Sequence, residues 1–253
     1  MPAGNTYAIN TKGRGTVDET MIKSLAVELN KLKKRLLHVG SEVEASLVKA
    51  ERALLAFDQK LAAEIISTDV DIDTLEISVE ENCLRILAQH TPVAGDLRFV
   101  VTVLKINIDL ERIGDLTVKI ADRVLLLARK DYVPFTSQQT IQFPEQFRSM
   151  FAETTKMVKM SLDSFVELDA DLAYKVLVWD DQVDAAKTSI RTQIEEILQS
   201  DVSQQQYLAM LLSVSRSLER IADHATHIAE DVVYMLQGQI VRHGAESYDE
   251  EGG

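Results

Sequence analysis

The second half of the chain repeats the first, and this constrains the fold more than any other feature. Aligning Asp58–Asp73 with Asp169–Asp184 needs no gap and gives five identities in sixteen positions. Aligning Leu104–Val124 with Leu212–Val232 gives nine in twenty-one. The offset changes only from 111 to 108 between the two blocks, so a loop is three residues shorter in the second copy. A duplicated chain of 253 residues is expected to build two similar units.

Those units read as helical. Met21, Leu25, Leu29, Leu32 and Leu36 recur at helical spacing, and Asp18 is placed to cap a first helix reaching about Phe57. Thr68 with Asp71 resembles a capping box that opens or restarts a helix to about Gln89. Pro92 and Gly95 break the chain, and Asp96 is expected to cap a third helix ending near Lys130. Pro134 and Pro144 bracket a polar linker, with Pro144 in the first turn of the next helix. Glycine (10) and proline (4) are too few for the many turns of a sandwich or barrel. The expected class is all-α: two tandem three-helix bundles. Residues 1–17 form an arm, 18–130 the first bundle, 131–143 the linker, 144–238 the second bundle and 239–253 an acidic tail.

Within each copy, two successive helices carry an acid four residues before an aspartate. The first copy has Asp69 with Asp73 and Glu111 with Asp115; the second has Asp180 with Asp184 and Glu219 with Asp223. Residues at i and i+4 share a face, where like charges cost about 0.2–0.5 kcal/mol per pair. A solvated face would alternate signs. In an antiparallel hairpin, residues equidistant from the turn lie at one height, and both pairs of the first copy are centred on Pro92. Those of the second are centred on Asp201-Val202. All eight carboxylates are therefore metal-ligand candidates, four to a cluster, about 30 Å from each turn. Oxygen-only donors suit hard cations. Ferric iron, manganese, magnesium and calcium are the candidates, with zinc tolerated, and carboxylates can bridge several ions.

The buried face is expected to be Ile106, Leu110, Ile113, Ile120 and Val124, repeated as Val214, Leu218, Ile221, Ile228 and Val232. The acids lie beside this stripe, which predicts a surface groove. Arg112 and Arg220 recur next to them, either as partners of the cluster or as surface ion pairs. Asp109, Glu76 and Glu80 are replaced in the second copy by Ser217, Lys187 and Arg191, and read as solvated charge. His224 follows Asp223 and His227 lies four residues after it, so either could ligate a metal, but they are replaced in the first copy by Leu116 and Lys119 and read more simply as surface histidines. Trp179 and Met157, Met160 and Met210 read as packing.

Charge and missing motifs remove several functions. A net charge of −13 repels nucleic acid and anionic membranes. The single cysteine, Cys83, excludes an internal disulfide and reads as a small buried hydrophobe. The first residues lack the apolar core of a signal peptide, and the apolar runs, such as Val124 to Ala128, are too short to span a bilayer, so a cytoplasmic protein is expected. Neither Glu-x-x-His nor a glycine-rich phosphate loop is present, so nothing points to catalysis.

"DLERIGDLTVKIADRV" and "SLERIADHATHIAEDV", each preceded one helix earlier by an acid-x-x-x-Asp, resemble the PhoU family of phosphate-uptake regulators. "PVAGDLRFV" resembles the family as well, and the likeness spans residues from about 18 to 238. The resemblance implies paired three-helix bundles with multinuclear iron, or sometimes another metal, on the carboxylates. It implies a cytoplasmic protein, often a homodimer. Its expected partners are the ATPase subunit of the phosphate ABC transporter and a phosphate-responsive sensor histidine kinase. It implies negative regulation of the phosphate-starvation response rather than enzymatic activity. A carboxylate-bridged iron oxidoreductase and a metal-free helical scaffold are the alternatives.

Overall fold

The structure is a computed structural model that describes residues 19–128, 145–200 and 205–241. The expected arm at 1–17, the Asp18 cap, the linker at 131–143, Pro144, the Asp201-Val202 turn and the tail beyond Val241 lie outside the described residues. Among the described residues there are six helices and no strand: α1 (Glu19–Ala56), α2 (Gln59–His90), α3 (Gly95–Leu127), α4 (Glu145–Glu167), α5 (Ala170–Ser200) and α6 (Gln205–Gln237). Helices α1–α3 pack on one another, as do α4–α6. The two bundles meet mainly through α3 against α6, with α1 touching α4.

The apolar stripes explain this arrangement. Leu25, Leu29, Leu32 and Leu36 of α1 are buried, and the stripe continues through Val39, Val43, Leu47 and Leu54. Ile106, Leu110, Ile113, Ile120 and Val124 of α3 are fully buried, and so are all five of their counterparts on α6. At roughly 1.5–3 kcal/mol per large side chain, these two stripes are a large part of the hydrophobic core. Gly40 permits the close approach of α1 and α4, since a Cβ there would lie 2.8 Å from Leu162 Cδ1. Cys83 is buried, and burial pushes its thiol up to about 12. Met157 is buried, Met160 and Met210 pack against the core, and Trp179 packs there too, its Nε1 donating to Glu153 Oε2 at 2.7 Å.

The hairpins show why two expected helix starts fall in the wrong place. Helix α2 begins at Gln59, capped by Asp58, whose Oδ1 accepts from the amides of Lys60 (3.0 Å) and Leu61 (3.1 Å). Thr68, expected to open a helix, lies well inside α2, where its hydroxyl donates to Glu64 O at 3.0 Å. The cap is duplicated: Asp169 Oδ1 accepts from Leu172 N at 2.9 Å, and Phe57 and Leu168 before the caps both have positive φ. The third helix also starts earlier than expected. Ala94 is its N-cap and makes no side-chain cap bond, which leaves Asp96 inside the first turn, buried, with its negative charge near the helix N-terminus.

Ala94 holds φ 49° and ψ −117°, a conformation that favours glycine, and it is exposed. Ala94→Gly is therefore expected to stabilise the fold by about 1 kcal/mol. Urea denaturation would register this as a higher midpoint at unchanged slope, and a lower midpoint would contradict it.

Candidate metal centres

Helices α2 and α3 run antiparallel, and three contacts set their register. A Cβ on Gly114 would lie 3.4 Å from Asp69 Oδ1; Asn107 Nδ2 donates to Glu76 O at 3.0 Å; Cys83 Sγ lies 3.9 Å from Val100 O. Each pair is centred between Thr91 and Pro92, half a residue from the point of reflection expected at Pro92. Asp69 on α2 therefore faces the turn of α3 that carries Glu111 and Asp115.

The electrostatics agree with this placement. Burial, then Asp73, Asp115 and Glu111, push the Asp69 carboxyl up to about 6. Burial raises Glu111 as well, with Asp115 and Asp73 adding to it. The second bundle repeats the pattern. Burial, then Asp223, Asp184, Asp181 and Glu219, push Asp180 up to about 6, and burial with Glu219 raises Asp223. Exposure matches residue for residue. Asp73 and Asp184 are exposed, whereas Asp69, Glu111, Asp115 and their counterparts Asp180, Glu219 and Asp223 are half-buried. These acids line an open face beside the buried stripe.

The repeats differ at one neighbouring position. In the first, Glu76 adds a fifth carboxylate, held by Asn107 Nδ2 at 3.2 Å from Oε1 and raised by burial and by Glu80, Glu111 and Asp73. In the second, the equivalent residue is Lys187. Its ammonium lies 2.6 Å from Glu219 Oε1 and 4.0 Å from Asp184 Oδ1. Arg112 of the first cluster is more weakly engaged, 3.4 Å from Glu111 and 3.7 Å from Asp115, and is itself exposed. Arg220 is exposed.

Among the described residues no three carboxylates of either cluster bring ligand oxygens within 4.8 Å of one another, so the acids share a face without closing a ligand set. Oxygen-only donors of this kind are the type that suits a hard cation. Acids that raise one another's pKa carry negative charge that their surroundings do not balance, and in the second cluster a lysine already supplies part of the missing positive charge. Lys187→Met is expected to strengthen metal binding at the second cluster about fivefold, by removing a competing cation worth roughly 1 kcal/mol. Isothermal titration with Mn²⁺ would measure it. Unchanged or weaker binding would show that Lys187 does not compete.

Two residues read as solvated turn out otherwise, whereas His227 is exposed as expected. Asp109 on α3 and His224 on α6 are mostly buried, with His224 Nδ1 2.8 Å from Asp109 Oδ1. His227 Nδ1 lies 3.5 Å from the same oxygen. Burial pushes Asp109 up, but the two rings outweigh it and hold the carboxyl below its usual range; the bond to Asp109 raises His227. Comparing repeats cannot reveal this group, because none of its three members is repeated. It emerges only once α3 is known to pack antiparallel on α6.

The comparisons with known proteins bear on the same elements. The PhoU domain model matches twice, at residues 36–124 and 147–232. The chain belongs to the PhoU family. A phosphate-specific transport system accessory protein PhoU homolog of Pseudomonas putida is 36% identical over 85% of this chain and 82% of that protein. PhoU homolog 1 of Thermotoga maritima, named in the same way, is 34% identical over 84% of this chain and 88% of that protein. The crystal structure of PhoU from Pseudomonas aeruginosa superposes with a TM-score of 0.77 at 34% identity, covering 84% of this chain and 99% of that one. The phosphate transport system regulatory protein PhoU from Streptococcus pneumoniae gives 0.75 at 28%, covering 86% and 99%. The two matched segments coincide with the two bundles and include all eight candidate carboxylates.

Proposed function

We propose that this chain is a non-enzymatic, metal-binding regulator of phosphate uptake and of the phosphate-starvation response. The observation carrying this reading is that PhoU relatives named as phosphate-transport accessory proteins match both bundles across nearly their whole length. No helix among the described residues is long and apolar enough to cross a membrane. The chain would reach the membrane through partners, working in the cytoplasm as a homodimer. Those partners are the ATPase subunit of the phosphate ABC transporter and a phosphate-responsive sensor histidine kinase.

In this reading Asp69, Asp73, Glu111 and Asp115 hold one metal centre, and Asp180, Asp184, Glu219 and Asp223 hold the other. Iron is the foremost candidate. The bound metal supplies the positive charge that lets four acids share a groove and offers a Lewis-acidic face to an anionic partner group. The carboxylates fix its place on the bundle surface, Asn107 holds Glu76 against the first centre, and the buried stripes keep α2–α3 and α5–α6 rigid beneath.

The test is genetic. Deleting the gene should derepress alkaline phosphatase in phosphate-rich medium, and the wild-type chain should restore repression. A chain carrying Asp73→Asn, Asp115→Asn, Asp184→Asn and Asp223→Asn should restore it poorly while remaining folded. Normal repression in the deletion strain would refute the regulatory reading. Full repression by the four-site variant would remove metal from the mechanism.

A further inference from the structure

The seam between the bundles has an internal two-fold relation that Asp109 breaks. Along it, Arg98 Nε donates to Met235 O at 3.4 Å, Thr102 Oγ1 donates to Asp231 O at 3.4 Å, and Lys105 pairs with Asp231. The repeat offset of 108 carries Lys105 onto Ser213 and Arg123 onto Asp231, and Arg123 Nε does donate to Ser213 Oγ, at 3.2 Å. That contact therefore has a counterpart across the seam. The same offset carries Asp109 onto Ser217, His224 onto Leu116 and His227 onto Lys119. The carboxylate and both imidazoles occur on one side only.

On that side the three groups converge. One ligand atom from each of Asp109, His224 and His227 lies within 4.8 Å of the other two. The two imidazole rings stand edge to face, 5.6 Å between centroids and 84° between planes, so they are not stacked. Three donors at about 2.1 Å from a tetrahedral ion would be about 3.4 Å apart. The observed Asp109–His separations of 2.8 and 3.5 Å bracket that value, so only side-chain adjustment is needed. Asp109 and His224 are mostly buried, whereas His227 is 49% exposed and gives solvent and ions access. Access would leave a coordination position for water.

We propose that Asp109, His224 and His227 form a divalent-metal site stapling α3 to α6, with its own ligand set beside the carboxylate cluster that includes Asp223. Two imidazoles and one carboxylate suit a borderline ion such as Zn²⁺ or Cu²⁺, whereas the oxygen-only clusters suit hard cations. The site ties the first repeat to the second, so its occupancy fixes the register of the two helices that carry Glu111, Asp115, Glu219 and Asp223. It does not rest on the regulatory reading, and either can fail alone.

The full chain should be loaded with one equivalent of Cu²⁺ and examined by electron paramagnetic resonance, with Zn²⁺ affinity measured by chelator competition. The wild type should show coupling to two imidazole nitrogens. His227→Asn, at a half-exposed position where helicity by circular dichroism should be unchanged, should show one. It should also weaken Zn²⁺ binding at least about 100-fold, more than the 10–100-fold typical of outer-shell groups. Asp73→Asn with Asp184→Asn should leave both readouts as in the wild type. A two-nitrogen signal persisting in the His224→Ala, His227→Ala double variant would overturn the proposal. A wild-type signal without nitrogen coupling would do the same, leaving a plain His–Asp hydrogen-bonded group.

Discussion

Replacing Lys105 with methionine should destabilise the protein by about 3 kcal/mol, among the largest effects of any single change. Lys105 on α3 is ion-paired with Asp231 on α6, and the Asp231 side chain is only 3% exposed. The pair spans the seam between the bundles. Removing the ammonium takes one cationic partner from an almost fully buried carboxylate, and the desolvation of that charge is offset less well. The methionine stem roughly preserves packing, so the loss reports on charge rather than on a cavity. Lys105→Met combined with Asp231→Leu should recover most of the loss, because an apolar pair of similar volume often replaces a buried ion pair without net cost. Urea denaturation of both variants measures this. A single variant within 0.5 kcal/mol of wild type, an order-of-magnitude surface effect, would show that the pair does not hold the seam.

Metal loading should produce a stabilisation of similar or greater size, and it should depend on pH in a definite direction. An ion held at about 100 times its dissociation constant adds about 2.7 kcal/mol per site, so two clusters give about 5 kcal/mol. Without metal the sign is set by Asp69 and Asp180. Both are pushed up to about 6 in the folded chain, above the 3.8 of an unperturbed aspartate. Between those values the folded chain binds more protons than the unfolded chain, so stability falls as pH rises. The charge penalty is absent below about pH 4 and fully present above about pH 6. These two groups should therefore make the metal-free chain melt higher near pH 5 than near pH 7.5. The metal-bound chain should lose its advantage over the same interval as the carboxylates take up protons. Thermal melts with and without chelator over this range would test it. A metal-free melting temperature that rises from about pH 5 to 7.5 would contradict the clustering.

Most of the architecture was legible because the chain states it twice. The ten stripe positions on α3 and α6 follow from helical spacing and the repeat offset, and all ten are buried. The α2–α3 register follows from reflection about Pro92, since a short hairpin leaves little freedom in height. What the sequence obscured has local causes. Thr68 carries a cap-like side chain, but an aspartate ten residues earlier, after a residue with positive φ, captures the helix start. Asp96 looks like a cap, but the unusual backbone at Ala94 starts the helix sooner. Asp109, His224 and His227 were hidden for a different reason. Internal duplication exposes residues that recur, whereas this group lies across the seam and occurs once. Lys187 is similar: it reads as a lost acid in sequence and as a cation held against Glu219 in structure.

The most direct measurement is the metal content of the purified full chain, alongside the variant carrying Asp73→Asn, Asp115→Asn, Asp184→Asn and Asp223→Asn. Elemental analysis after reconstitution with iron should find ions in the wild type at both clusters, and their near-complete loss in the variant at unchanged helicity. Equal metal in the two proteins, or none in either after reconstitution, would contradict the account.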